Sequence, residues 1–259
     1  MKKYLLFILL MPSFLFGATT LSIHEKYGLP SDENLIKKGT YILSYDLDYK
    51  IPNWVAYHLS KADLENTLTR SGTWKVETKV DSEYRAKASD YSKSGYDKGH
   101  LCPSADMARS AKTMQSTFCY SNCAPQVGKG FNRDMWEMLE EQVRAWAKAK
   151  KDVWIFAGVY FDPDNPNGEG DSTVKTIGNG VGVPPHWYKI IYAPNGPSPN
   201  DDEVIAFEFE NIAYPDTKFR EHEVTVRQIE DETGLDFLNK LPKAVQDKLE
   251  TKKEVETWN

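Results

Sequence analysis

Residues 132–150 carry the clearest helix of this 259-residue chain. Met135, Leu139, Val143 and Trp146 recur there at spacings that line one face, and such a stripe must be buried against another layer. The layer is supplied by segments that read as strands. Residues 41–61 mix Tyr, Ile, Val and Trp about Pro52-Asn53 and predict a hairpin turning there. Residues 153–161 read as a buried strand, and 183–193 and 204–209 alternate well enough to be further antiparallel strands. A short helix is expected within residues 226–241. The fold class is therefore α+β, a central antiparallel sheet flanked by helices. No Pro/Gly/Ser-rich or highly charged linker divides the chain, so one large domain is expected.

The same helix carries a second stripe. Asn132, Trp136, Glu140 and Arg144 recur every four residues, advancing about 40° per step at about 3.6 residues per turn, so their polar members can share one cleft. A purely structural account makes Asn132 a helix cap and Glu140–Arg144 an i,i+4 ion pair. Upstream, Asp97-Lys98-Gly99-His100 opens the run DKGHLCPSADM and sets one histidine among charged and small residues. Gly95, Gly99 and Pro103 argue against a regular helix there, placing His100 on a short strand or its edge. With a reference pKa of about 6.5, an imidazole is suited to act as a base near neutral pH.

Lys2-Lys3 precede an apolar run over residues 4–16, shorter than the roughly 20 residues needed to span a bilayer. The expected organisation is a secretory signal peptide at 1–18, a loosely packed N-terminal arm at 19–40, the folded domain at 41–250 and a polar C-terminal tail at 251–259. The mature protein is then exported, periplasmic or secreted, with no membrane partner. Without Lys2 and Lys3 the formal charge moves from −6 to −8, from 30 basic and 38 acidic residues, which argues against a general coat for polyanions. Residues 84–151 reverse the balance, with twelve Lys/Arg against seven Asp/Glu, as suits a phosphate-bearing substrate.

Other features carry less. Export and an odd number of cysteines leave the pairing of Cys102, Cys119 and Cys123 open, and they lack the paired Cys-x-x-Cys spacing of a zinc site. His24 reads as incidental, and His58, His186 and His222 as structural. Residues 80–94 are hydrophilic enough for an exposed loop. DPDNPNGEGD, at 162–171, resembles a calcium loop but lacks the glutamate at the twelfth position and the flanking helices, and is expected to be an exposed loop.

Taken in order, DKGH, Asn122-x-x-Pro125-Gln126, Asn132-x-x-x-Trp136-x-x-Leu139-Glu140 and Arg144 resemble the DNA/RNA non-specific endonuclease family. Its members include secreted bacterial sugar-non-specific nucleases and mitochondrial endonuclease G, which share a ββα-metal (His-Me finger) active site. PNWVAYHLS before the motif, and VWIFAGVYF, GVGVPPHWYKIIY, AFEFEN and VTVRQIEDETGLDFLNKLP after it, extend the resemblance over roughly residues 41–242.

The resemblance implies an exported, metal-dependent nuclease acting on DNA and RNA with little sequence preference. His100 would be the general base and Asn132 the single direct protein ligand of Mg²⁺, with Mn²⁺ or another divalent cation as alternatives. Glu140 would orient a water of that cation, which could protonate the leaving 3′-oxygen and give 5′-phosphate products. Arg144 and Lys98 would hold phosphate oxygens, Lys98 standing where many members carry arginine. Arg70 corresponds to a phosphate-contacting arginine, and Asn122, counted with the substrate-binding residues, to an asparagine that supports the site through hydrogen bonds. Asp97 would fix its loop through backbone hydrogen bonds. A homodimer is left open, and the rival reading is a catalytically silent nucleic-acid-binding or uptake protein on the same fold.

Overall fold

The segments DVWIFAGVY and HWYKIIYA are apolar at nearly every position, which a strand tolerates when both faces of its sheet are covered. The structure, a computed structural model, describes residues 22–162, 173–253 and 258. Its strands are β1 (Leu35–Lys37), β2 (Ile42–Asp46), β3 (Ile51–Ser60), β4 (Asp97–His100), β5 (Cys123–Gln126), β6 (Asp152–Tyr160), β7 (Thr176–Ile177), β8 (Val181–Gly182), β9 (His186–Ala193), β10 (Glu203–Glu210) and β11 (Glu223–Val224). Its helices are α1 (Ala88–Tyr91), α2 (Ala111–Thr117), α3 (Trp136–Lys150), α4 (Val226–Thr233) and α5 (Lys243–Glu250).

Seven strands form one antiparallel sheet in the order β1-β2-β3-β6-β9-β10-β11. Successive side chains alternate between two cores. Ile155, Ala157, Ile191 and Phe207 join Trp136, Leu139, Val143 and Trp146 of α3. Phe156, Ile190, Val204 and Ala206 join Val226 and Ile229 of α4 and Val245 and Leu249 of α5. At roughly 1.5–3 kcal/mol for each large apolar side chain withdrawn from water, these two layers dominate the stability. The expected α+β architecture with a central antiparallel sheet is present.

Residues 61–151 leave the sheet after β3 and return as β6, the strand hydrogen-bonded beside it. Within this excursion β4 and β5 pair antiparallel, with Asp97 opposite Gln126 and His100 opposite Cys123. The widened turn Gly128–Met135 then leads into α3. This is the ββα unit that positions the site.

Several expectations need correction. The hairpin turns at residues 47–50, not at Pro52-Asn53. Asp46 Oδ1 accepts from the backbone N–H groups of Asp48 and Tyr49, both at 2.8 Å, and Lys50 takes φ +56°. Pro52 is tolerated inside β3 because it faces Tyr45 at a register shift of the β2–β3 ladder, where the Tyr45 N–H turns away to Asn34 O, and pairing with β6 begins only at Trp54. The N-terminal arm is not loosely packed. Leu35–Lys37 adds a strand to the sheet, Glu25 pairs with Lys37, and the His58 backbone N–H donates to Nδ1 of the buried His24 at 3.0 Å.

Residues 80–94 bury Val80, Ala86, Asp90 and Tyr91 instead of forming a wholly exposed loop. In the tail expected to be polar, Trp258 is buried with its ring centroid 5.1 Å from that of Trp146. The three cysteines are all free and buried. The expected signal peptide and most of DPDNPNGEGD lie outside the described residues, among which no helix is long and apolar enough to cross a membrane.

Candidate active site

Gly99 lets β4 lie against its neighbours, since a Cβ there would fall 2.1 Å from Gln126 Oε1 and 2.7 Å from the Trp187 ring. The next residue, His100, is buried to 8% exposure. Its ring packs against Trp74 at a centroid distance of 4.7 Å and against the edge of Phe118 at 5.2 Å, and its carbonyl accepts from Trp136 Nε1 at 3.4 Å. Nε2 is enclosed without a partner, so Nδ1 is the nitrogen open to the cavity that His100 lines. Burial, reinforced by the positive charges of Arg70 and Lys98, pushes its pKa down to about 3. The imidazole is therefore neutral throughout the physiological range.

Asn132 is not a helix cap. It lies inside the widened turn, where its N–H donates to Val127 O at 2.9 Å, and α3 proper begins four residues later. The turn depends on Gly130, at φ +87°, whose backbone passes so close to Ala213 and Tyr214 that a Cβ would fall 2.9 Å from them. Asn132 Nδ2 donates to Asp97 Oδ2 at 2.9 Å, leaving Oδ1 as the amide's free end. Asp97 also receives Arg133 Nε at 2.7 Å. Burial alone would raise the Asp97 pKa, but the Arg133 and Asn132 hydrogen bonds together hold it below the usual carboxylate value. Asp97 thus acts through its side chain, not through the backbone hydrogen bonds expected of it.

Farther along α3, the expected Glu140–Arg144 pair is replaced by two pairings with other segments. Arg144 donates to Asp106 Oδ1 at 3.0 Å, and Asp106, almost fully buried, also accepts from Tyr57 Oη at 2.8 Å. Glu140 lies 3.9 Å from Nζ of Lys189, a fully buried lysine 4.4 Å from the Trp136 ring centroid. Burial pushes the Glu140 carboxyl up to about 7 against the opposing pull of Lys189, and burial lowers the Lys189 pKa.

One cavity of about 180 Å³ is lined by Arg70, Lys98, His100, Asn132, Arg133, Glu137, Glu140 and Arg144, with Pro103, Ser104 and Ala105. Six residues expected at a site from sequence therefore meet there. Arg70 Nε donates to Ser104 Oγ at 3.2 Å, and Lys98 Nζ lies 5.6 Å from the Trp74 ring centroid. Asn122 does not meet them. It is fully buried, accepts from Cys102 N at 3.0 Å and donates to the carbonyls of Cys102 and Thr117, both at 2.9 Å. An amide so enclosed cannot touch a substrate, and it instead clamps the chain after His100. His58, His186 and His222 stay outside the cavity, packed on Trp154, Tyr160 and Phe209.

Trp74, Asp106 and Lys189 are the contributors that sequence reasoning missed. Lys189 had a readable signal as the lone lysine in an apolar strand, where a charge needs a partner. Asp106 lies within DKGHLCPSADM, but nothing in its spacing points to Arg144.

The donor set fits a hard, hydrated cation: a free amide oxygen on Asn132 and the Glu140 carboxylate on the same cavity wall. Among the described residues no group of three His, Cys, Asp or Glu side chains could hold a metal, so a cation here would depend on substrate and water for its remaining ligands.

A sequence model of the DNA/RNA non-specific endonuclease family matches residues 20–244. The chain is 35% identical to the mitochondrial nuclease of Saccharomyces cerevisiae, over 84% of this chain and 69% of that protein. It is 34% identical to nuclease C1 of Cunninghamella echinulata var. echinulata, over 80% of this chain and 84% of that protein. The solved EndoG/EndoGI complex, described as revealing the mechanism of EndoG inhibition, contains a chain that superposes with a TM-score of 0.79 at 30% identity, covering 87% of this chain and 95% of that one. The expectation of an exported, periplasmic or secreted protein is overturned by these similarities. The yeast relative is named as mitochondrial, and so are relatives from Danio rerio and Caenorhabditis elegans.

Proposed function

Because this chain belongs to the DNA/RNA non-specific endonuclease family, we propose that it is a metal-dependent endonuclease hydrolysing phosphodiester bonds of DNA and RNA with little sequence preference. The observation that carries the reading is the convergence of His100 and Asn132, from β4 and from the turn before α3, on one cavity with Arg70, Lys98 and Arg144.

His100, neutral and with Nδ1 open to the cavity, takes a proton from the water whose oxygen attacks phosphorus. Trp74 and Phe118 hold the ring against rotation as the charge forms. Arg70, Lys98 and Arg144 bind the nonbridging phosphate oxygens and offset their growing negative charge, and Asp106 fixes Arg144 in place.

Asn132 Oδ1 would hold the cation, Mg²⁺ or alternatively Mn²⁺, and Asp97 keeps the amide turned for it. Bound there, Mg²⁺ supplies Lewis-acid neutralisation of phosphate charge and acidified water. Glu140 orients water near the leaving 3′-oxygen, which departs with a proton while the phosphate stays on the 5′-oxygen of the downstream nucleotide. Contacts directed to phosphates and not to base edges carry no sequence information, which accounts for the breadth of substrate.

The test is a plasmid-nicking assay with purified protein, with Mg²⁺ and with EDTA. Conversion of supercoiled to open-circular and linear DNA only with the cation is expected. Intact plasmid across Mg²⁺ and Mn²⁺ overturns the reading.

A further inference from the structure

A second cavity, about 200 Å³, opens beside the first and shares Arg70, Ser104, Ala105 and Arg144 with it. Its remaining wall is mostly apolar, formed by Leu64, Leu68, Ala108 and Met114. Met114 and Ala108 are core residues at 1% and 3% exposure, whereas Leu68 is 48% exposed. That exposed leucine is held in place, because its N–H donates to Ala108 O at 2.9 Å.

Lys148 also lines this cavity. It stands one helical turn beyond Arg144, about 6 Å along the axis. Arg144 is engaged by Asp106, whereas Lys148 is exposed and has no carboxylate partner among the described residues. The cavity thus combines an apolar wall with the cations Arg70, Arg144 and Lys148. One nucleotide of a nucleic-acid strand presents the matching groups, a flat base and a flanking phosphate.

We propose that this cavity is the subsite for the nucleotide next to the scissile phosphate, with its base against Leu68, Ala108 and Met114 and its outer phosphate on Lys148. The inference rests on the nuclease reading and extends it to a second nucleotide. The hollow is smaller than the roughly 300 Å³ at which drug-sized ligand pockets begin, so it suits a single ring system. Every base has an apolar face to offer, so contact of this kind adds affinity without selecting sequence.

Binding, measured on the His100→Ala chain by fluorescence anisotropy, separates this inference from catalysis. Two labelled single-stranded eight-nucleotide probes are compared, one of DNA and one with every base removed. The DNA probe is expected to bind about tenfold more tightly, and Leu68→Gln to reduce that ratio to about threefold or less. Lys148→Ala is expected to lower the steepness of log K against log salt by about 0.7, the release of one single-strand contact. Lys253→Ala, the same charge change on an exposed residue outside the cavity, should leave the slope alone. Equal ratios in the Leu68→Gln and parent chains, or equal slopes in the two lysine variants, overturn the subsite. If wild-type protein nicks plasmid while these results fail, only the subsite falls; if it neither nicks nor binds, the nuclease reading falls with it.

Discussion

Asp97 accepts a hydrogen bond from Asn132 Nδ2 at 2.9 Å across thirty-five residues of sequence, tying the strand that carries His100 to the turn that starts α3. The bond selects which end of the Asn132 amide faces the cavity. Asp97→Ala should therefore act on the cation requirement, raising the Mg²⁺ concentration for half-maximal nicking by about 10- to 100-fold, as loss of a ligand's hydrogen-bond partner does elsewhere. An unchanged Mg²⁺ titration would show that the amide is oriented by something else.

Removing the base should leave the scaffold standing. His100→Ala is expected to lower cleavage by about 10²- to 10⁴-fold while circular dichroism and oligonucleotide binding persist. Near-wild-type cleavage by this variant would remove His100 as the proton acceptor.

The pH dependence should report Glu140 and not His100. The imidazole is depressed to about 3 and so stays neutral from pH 5 upward, whereas burial holds the carboxyl up to about 7, and the active carboxylate forms as pH rises through that value. Lys189 favours the carboxylate, so Lys189→Met leaves burial less opposed. The acid limb of kcat/KM should then move to higher pH by about one unit or more. A limb that stays in place would rule out Lys189 as the partner that sets Glu140.

Asn122→Ala should behave as a stability defect. The side chain satisfies three buried backbone groups, and stranding them costs about 1–3 kcal/mol each before relaxation. A net loss of about 3 kcal/mol in urea unfolding is expected, with KM of the folded fraction unchanged. A raised KM at native stability would return Asn122 to substrate contact.

The cysteines give a chemical check on packing. Cys102, Cys119 and Cys123 are free and buried, and burial pushes the Cys123 thiol up to about 12, away from the reactive thiolate. Ellman's reagent should titrate no thiol in the native protein and three after denaturation. Two fewer in the denatured sample would reveal a disulfide.

Legibility in the sequence followed distance along the chain. The stripe Met135, Leu139, Val143 and Trp146 fixes a buried helix face because its periodicity is local, and the spacing of Asn132, Glu140 and Arg144 places three cavity residues for the same reason. What those side chains touch was not legible. Arg144 finds Asp106 and Glu140 finds Lys189, partners brought from other segments by the sheet. The local i,i+4 pairing lost to partners with deeper burial. The family resemblance assigns Asn122 to substrate, whereas its amide is spent on Cys102 and Thr117, supporting the chain beside His100 through hydrogen bonds. Pro52-Asn53 misled because turn-forming residues were weighed without the Asp46 side chain that caps the real turn.

Strands β3 and β6 are hydrogen-bonded neighbours, although residues 61–151 run between them. The sheet thus behaves as a socket: a long cassette enters and leaves at two adjacent strands and seats α3 against the sheet face. Closing so long a loop is thermodynamically mild, since each doubling of its length adds only about 0.6 kcal/mol. Length in the cassette's exposed loops can therefore change without disturbing the register of Trp54 on Gly158 or Leu59 on Val153, so long as α3 keeps its apolar face on the sheet. Loop length, and not the helix that roofs the sheet, is the adjustable part of the chain.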